Sequence, residues 1–223
     1  MSVETRLVSA GSRERVLVVL DDAALAAALL EASCALAQLM QRELQLVYVE
    51  SSAALAAAAL PATRVLASPV QAWTPLAPQD VERGWRVQAA RLRLLADRAS
   101  ARHAVSWSMR VLRGALPQAA LALREESDLL LVGASPGRFE AERRRPRPLI
   151  VALDDGTPAG QQALRVAAQL ADAIGARLEL RPLDPHDGSR LAAADLVVLS
   201  ATALAALPLS ELRAPLLIVG APR

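Results

Sequence analysis

One uninterrupted apolar run, Leu149-Ile150-Val151-Ala152-Leu153, constrains this chain more than any other stretch. It has the length of a strand, and its lack of alternation suits a strand buried on both faces. Asp154 and Asp155 end the run and Gly156 permits a turn. Thr157 offers the hydroxyl of an N-cap, and Pro158 falls at the first helical position, where its missing N–H has no intrahelical partner to lose. Ala163, Val166, Ala167, Leu170, Ala171 and Ile174 then recur at helical spacing. Gly175 supplies a left-handed residue to close the helix, and Leu178 and Leu180 open a second strand. The spacing predicts a β–turn–α–β unit, the building block of a parallel sheet with right-handed crossovers.

The same order of features occurs near the start of the chain. Arg15 to Leu20 is a second strand, again ended by two aspartates, Asp21 and Asp22. An alanine- and leucine-rich helix is predicted from there to about Gln41, and Leu44 to Val49 forms the next strand. Val16 to Asp22 aligns with Leu149 to Asp155. Leu44 and Leu46 align with Leu178 and Leu180, with one residue inserted between. A later pair also matches: Glu126 to Gly133 resembles Ala193 to Ser200, each with an acid ahead of the apolar run. The chain therefore contains an internal repeat.

The two copies differ in what they keep. Between its second and last strands the first has Ser51 to Pro78, read as a long proline-marked loop with at most a short helix. It continues with a long helix over about Asp80 to Arg102, a strand over Val105 to Leu112 and a short helix entered through Pro117. The second copy passes from Leu180 to Asp195 by a short loop. It then adds a helix near Ala203 to Leu212 and a strand, Leu216 to Val219, which the first copy lacks. The strand over Asp128 to Val132 is thus left with an open edge. Either Leu149 to Leu153 or Leu216 to Val219 is expected to cover it, or a second copy of the chain does so as a homodimer through sheet edges.

Composition narrows the function classes. The length of 223 residues allows one large domain or two small ones, and the formal net charge of +2 gives no polyanion-binding signal. The arginines of the long helix, at positions 83, 86, 91, 93, 98 and 102, fit a solvated face as well as a nucleic-acid surface, so nucleic acid is not an expected partner. Trp73, Trp85 and Trp107 are scattered over different elements and read as anchors. All of the basic residues are arginine, which removes lysine phosphate grips and Schiff-base chemistry. Cys34 is the single cysteine and lies on an apolar helix, as buried filler. His103 and His186 have no Cys or His partner at metal-ligand spacing. The most apolar helical stretch, Ala23 to Met40, carries Glu31 and Gln38, so no membrane span is expected. Met1 to Gly11, a loose arm on this reading, lacks the apolar core of a signal peptide, so a cytoplasmic location is expected.

Taken together, Leu149 to Thr157 with Ala163-Leu164 and Ala167-Ala168, Gly175 to Leu180, and the closing Ala214 to Val219 resemble the universal stress protein family, in a divergent tandem form. The resemblance implies a Rossmann-like α/β fold of the adenine-nucleotide alpha-hydrolase kind. It implies parallel sheets with flanking helices in two fused, unequal units over 14–137 and 146–223, cytoplasmic location and frequent dimerisation. It does not imply catalysis. ATP-binding members resemble one another in an aspartate at the end of the first strand and a glycine motif after the fourth, whose backbone N–H groups crowd against phosphate.

On that resemblance Asp21 or Asp22 in the first copy, and Asp154 or Asp155 in the second, take the base or ribose role. Strand alignment favours the first of each pair and helix alignment the second. The glycine motif departs from the family's pattern. Gly133 is followed by Gly137 one position late, and Pro136 removes a donor between them; in the second copy Ser200 stands in the first glycine's place. A run of arginines, Arg143 to Arg145 with Arg147, reads as a solvated linker or as a substitute phosphate clamp.

The expected function is a non-catalytic regulatory or ligand-sensing module with a degenerate nucleotide site. The alternative is an ATP- or AMP-binding protein whose first-copy site comprises Asp21, Val49, Gly133, Ser135 and Gly137. A third reading is a hydrolase, since Gly133-Ala134-Ser135-Pro136-Gly137 spells a nucleophile elbow with Asp154, Asp155 and His186 after it. Pro136 argues against it, because the elbow needs the N–H after serine as an oxyanion donor.

Overall fold

The computed structural model describes residues 15–24, 26–67, 72–133, 147–184, 191, 193–207 and 214–220. The elements in chain order are β1 (Arg15–Leu20), α1 (Ala26–Leu39), β2 (Glu43–Ser51), α2 (Ser52–Ala58), β3 (Arg64–Ala67), β4 (Ala72–Pro75), α3 (Pro78–His103), β5 (Trp107–Gly114), α4 (Leu116–Leu123) and β6 (Leu129–Val132). There follow β7 (Leu149–Asp154), α5 (Pro158–Ile174), β8 (Arg177–Pro182), β9 (Leu196–Ser200), a short 3-10 turn over Ala203–Ala206 and β10 (Leu216–Val219).

Eight of the strands form one sheet in the order β5-β2-β1-β6-β10-β9-β7-β8. The all-apolar runs at β1, β6, β7, β9 and β10 supply its middle, where both faces are covered. One face packs under α1, α3 and α5 through Leu30, Leu36, Leu92, Ala96, Ala167 and Leu170. The other packs under α4, the 3-10 turn and Leu191. Alternate residues of each central strand serve the two layers: Val16 and Val18 face one, Leu17 and Val19 the other. The result is a three-layer α/β fold of the Rossmann-like kind.

The central unit forms as its residues dictate. The Thr157 hydroxyl accepts the Gly160 N–H at the start of α5, and Gly175 closes the helix with φ 65°. β7 then pairs in parallel with β8, Ile150 opposite Leu178 and Ala152 opposite Leu180. In the first half β1 pairs in parallel with β2 and with β6, and β2 with β5.

The open edge of β6 is closed within the chain by Leu216–Val219. β10 runs antiparallel to β6, Leu217 opposite Leu131, and parallel to β9, Leu217 opposite Val198. Four strands therefore run one way, four run the other, and the two halves meet at the β6–β10 seam in one continuous sheet. Matching β1 with β7, β2 with β8 and β6 with β9 puts the centre of that correspondence on β10, so this single strand completes both halves.

Three expectations change. Ser51 to Pro78 is not a plain loop: after α2 it forms a β3–β4 hairpin, Leu66 opposite Trp73, because Val65, Leu66, Trp73 and Thr74 favour extended backbone and Pro75 falls at the strand end. β5 begins at Trp107, two residues later than predicted, since Ala104 is left-handed with φ 52° and the N–H of Val105 still belongs to the end of α3. The helix predicted from Ala203 to Leu212 is a 3-10 turn as far as Ala206, with Leu207 extended ahead of Pro208, as proline requires of the residue before it. Residues 208–213, like 1–14, lie outside the described residues.

Candidate functional site

In an open parallel sheet, ligands bind beyond the carboxyl ends of the strands, where neighbouring strands connect in opposite directions. This sheet has two such switch points. One lies between β1 and β6, since β1 connects onward to β2 on its other side; the second lies between β7 and β9, since β7 connects onward to β8. The two crevices are built from corresponding residues and differ in what fills them.

At the second crevice Asp154 is the last residue of β7, and its carboxylate accepts the Gly156 N–H at 3.0 Å. Asp155 follows and is the hub. Its carboxylate accepts the Thr157 N–H at 3.0 Å, the Thr157 hydroxyl at 2.6 Å and the Thr202 hydroxyl at 2.8 Å, together with the hydroxyl of Ser200. Ser200 is the fully buried last residue of β9, and its oxygen also accepts the Ala203 N–H at 2.9 Å. Gly160 is the residue that lets the carboxylate sit against the helix: a Cβ there would lie 2.1 Å from Asp155 Oδ1. Burial alone would raise the Asp155 pKa. Hydrogen bonds from Ser200, from the hydroxyl and N–H of Thr157 and from Thr202 outweigh it and hold the carboxyl well below the usual carboxylate range. The aspartate at this switch point is therefore an ionised clamp joining the start of α5 to the end of β9. Its donors come from the chain itself.

At the first crevice Asp22 makes the corresponding turn, accepting the Ala24 N–H at 2.8 Å as Asp155 accepts that of Thr157. The place of Ser200 is taken by Gly133, buried after β6, whose N–H donates to the Val19 carbonyl at 2.8 Å. A glycine brings no hydroxyl to the crevice. Leu20 fills the space beside it, its Cδ2 only 2.3 Å from where a Cβ would stand. Asp21 directly follows β1. Tyr48, on β2 opposite Leu20, is buried, with its phenol pushed up to about 12 by burial and by the charges of Glu50, Asp21 and Asp22. It keeps its proton at neutral pH and lies in the electrostatic reach of both aspartates.

The long helix α3 closes over this end of the half. Gln88 accepts the Ala23 N–H at 3.3 Å through its side-chain oxygen, at the turn just after Asp22. Farther along the strand ends, Arg113 is paired with Glu50 at 3.0 Å and lies over the Trp85 ring, 5.5 Å from its centroid.

The structure thus brings Asp21, Asp22 and Gly133 to one switch point, and Asp154 and Asp155 to the other. Val49 does not offer a side chain to the first crevice: it is buried in the layer under α4. Ser135 and Gly137 lie outside the described residues, as do Pro136, His186 and Arg143 to Arg145, on which the elbow and arginine-clamp readings fall. Four participants were not singled out by the sequence reasoning: Tyr48, Gln88, Thr202 and Gly160. For Gly160 the signal was present, since a glycine inside the first turn of a capped helix marks a close approach. Tyr48 and Gln88 carried none beyond their places in a strand and on a helix face. Among the described residues no helix is long and apolar enough to cross a membrane.

Comparison with known proteins gives fold-level likeness only. No protein-family model matches the chain, and no curated protein matches it. Among solved structures it is similar to a universal stress protein in complex with cAMP, at 19% identity over 76% of this chain and 96% of that one, TM-score 0.32. It is similar also to the universal stress protein UspA from Lactobacillus plantarum, at 14% identity over 76% and 98%, TM-score 0.38. A third is a universal stress protein from Archaeoglobus fulgidus, at 8% identity over 95% and 100%, TM-score 0.45.

Proposed function

We propose that this chain is a non-catalytic, cytoplasmic regulatory protein of the universal stress protein kind, two unequal units fused over 14–137 and 146–223, in which only the first unit keeps a ligand crevice, for an adenine nucleotide. The observation that carries the reading is the exchange of Ser200 for Gly133 between the two switch points. In the second unit Asp155 has spent its acceptor capacity on Ser200, Thr202 and Thr157, so a ribose or base donor finds no vacant lone pair on that carboxylate. In the first unit Gly133 leaves Asp22 without that hydroxyl, and Asp22 stands just beyond the end of β1 as an acceptor for the hydroxyls of a ribose or the amine of an adenine.

Calorimetric titration with ATP, ADP, AMP and cAMP, with and without magnesium, tests the reading. A single saturable site per chain is expected, lost in Asp22→Ala. Asp155→Asn should leave the stoichiometry unchanged. No binding at millimolar nucleotide, or binding that survives Asp22→Ala, refutes it. Turnover of ATP abolished by Asp21→Ala would replace it with the hydrolase reading.

A further inference from the structure

The correspondence between the halves exposes a missing strand. In the first half β2 is covered on its outer side by β5, Leu46 opposite Met109 and Tyr48 opposite Val111. Its counterpart β8 ends the sheet, and among the described residues nothing pairs with its outer side. Arg177 donates its N–H to the Pro148 carbonyl and Leu183 donates its N–H to the Asp154 carbonyl, both at 2.8 Å. Residues 177, 179, 181 and 183 therefore aim their backbone groups at β7. Leu178 and Leu180 turn theirs outward, and so does Pro182 with its carbonyl alone. Leu180 is 60% exposed on the same face as the partly buried Leu178, while Glu179 and Arg181 form an ion pair at 2.8 Å on the opposite face.

We infer that the β8 edge is a self-pairing surface, and that a second copy of this chain adds its own β8 antiparallel across a two-fold axis at Leu180. Charge selects the occupant and the register. Pairing centred on Glu179 would set Glu179 against its own copy and Arg177 against Arg181, like charges directly opposite on one face. Pairing centred on Leu178 would call on the Ala176 N–H, which already donates to the Ala171 carbonyl at 2.8 Å. Centring on Leu180 avoids both. Leu180 meets Leu180 of the partner subunit, with two N–H···O bonds exchanged between them. Leu178 donates its N–H to the carbonyl of the partner's Pro182, which has no N–H to offer in return. Glu179 then falls opposite the partner's Arg181, twice, so that the two intrachain ion pairs merge into a four-membered cluster of alternating charge. The exposed leucines are covered in the same step. The interface is isologous and closed, so it ends at a dimer.

Sedimentation velocity over a concentration series tests this with the whole chain. The wild-type chain is expected to sediment as a dimer that dissociates on dilution. Leu180→Pro removes an outward N–H, a change that an edge strand tolerates, together with the exposed leucine side chain, and should give monomer; Arg181→Glu, which opposes two glutamates, should do the same. The exchanged pair Glu179→Arg with Arg181→Glu restores complementarity and should restore the dimer. A monomeric wild type overturns the inference, whether or not a strand of another protein takes the edge, as does a dimer that survives Leu180→Pro. A dimer that survives Arg181→Glu, or that the exchanged pair fails to restore, overturns the register.

Discussion

Asp155→Asn replaces an ionised hub by a neutral amide of the same shape, and the hydrogen bonds around it fix how much stability that removes. The carboxylate accepts from Thr157 twice, from Ser200 and from Thr202. Bonds to a charged acceptor contribute about 1.5–3 kcal/mol each in isolation and are not additive when they share one group. Asparagine keeps one acceptor oxygen and turns a donor toward hydroxyls that must reorient. A net loss of about 2–3 kcal/mol at neutral pH follows, which for a chain of this size lowers the midpoint of thermal unfolding by roughly 5–10 °C.

The loss has a pH signature. The carboxyl's folded pKa lies below its unfolded value near 3.8, so its stabilisation is complete above that value and disappears as pH falls through the folded one. Urea unfolding of wild type and Asp155→Asn at pH 7, and again at decreasing acid pH, checks both parts. The gap in free energy should be largest at pH 7 and should narrow steadily below about pH 4. A gap under about 0.5 kcal/mol at pH 7, or one that stays constant into strong acid, would mean that the carboxylate is not the clamp described.

Gly160→Ala should cost about 2–3 kcal/mol in the same unfolding assay, although alanine is the better helix former, because its Cβ would stand 2.1 Å from Asp155 Oδ1; a stabilised variant would contradict this. Tyr48 is the one tyrosine, so alkaline absorbance titration reads it alone. The folded protein should show no phenolate until pH approaches about 12, whereas the unfolded chain titrates near 10, and stability should fall as pH rises through that interval. Cys34, fully buried with its thiol pushed up to about 11 by burial, should react with a thiol reagent only on unfolding; rapid labelling of the native protein would count against the packing of α1.

The parts of this fold that were legible in the sequence are those held by local signals. α5 was bounded in advance because Thr157, Pro158 and Gly175 each act on the backbone beside them, and the apolar runs announced strands buried on both faces. The covering of β6 by Leu216 to Val219 was foreseen as one of several ways to close an edge, but the sequence could not choose among them, since a short apolar run carries no direction. The β3–β4 hairpin was hidden because prolines that read as breakers fall at a strand end and between the strands. At the site, sequence placed the aspartates at the strand ends yet could not say which of each pair acted. That depends on Ser200 reaching Asp155 across 45 positions of sequence, a meeting set by the sheet order and by no local pattern. The replacement of glycine by Ser200 was visible as a gap in a motif; its role as the donor that occupies the aspartate was not.

The position of β10 in the middle of the sheet also sets an order of events during synthesis. Every other strand precedes it in the chain, and the two strands that it separates, β6 and β9, are left with bare edges facing each other until it is made. The four strands β1, β2, β5 and β6 of this sheet can assemble early, but their inner margin stays unsatisfied while residues 133–215 are being added. Long-range closure of this kind is slow, and an unpaired margin of apolar backbone invites the wrong neighbour while it lasts. The sheet is finished by inserting a keystone between two prepared halves, so the last four-residue strand decides whether a nascent chain becomes one body or remains two sticky ones.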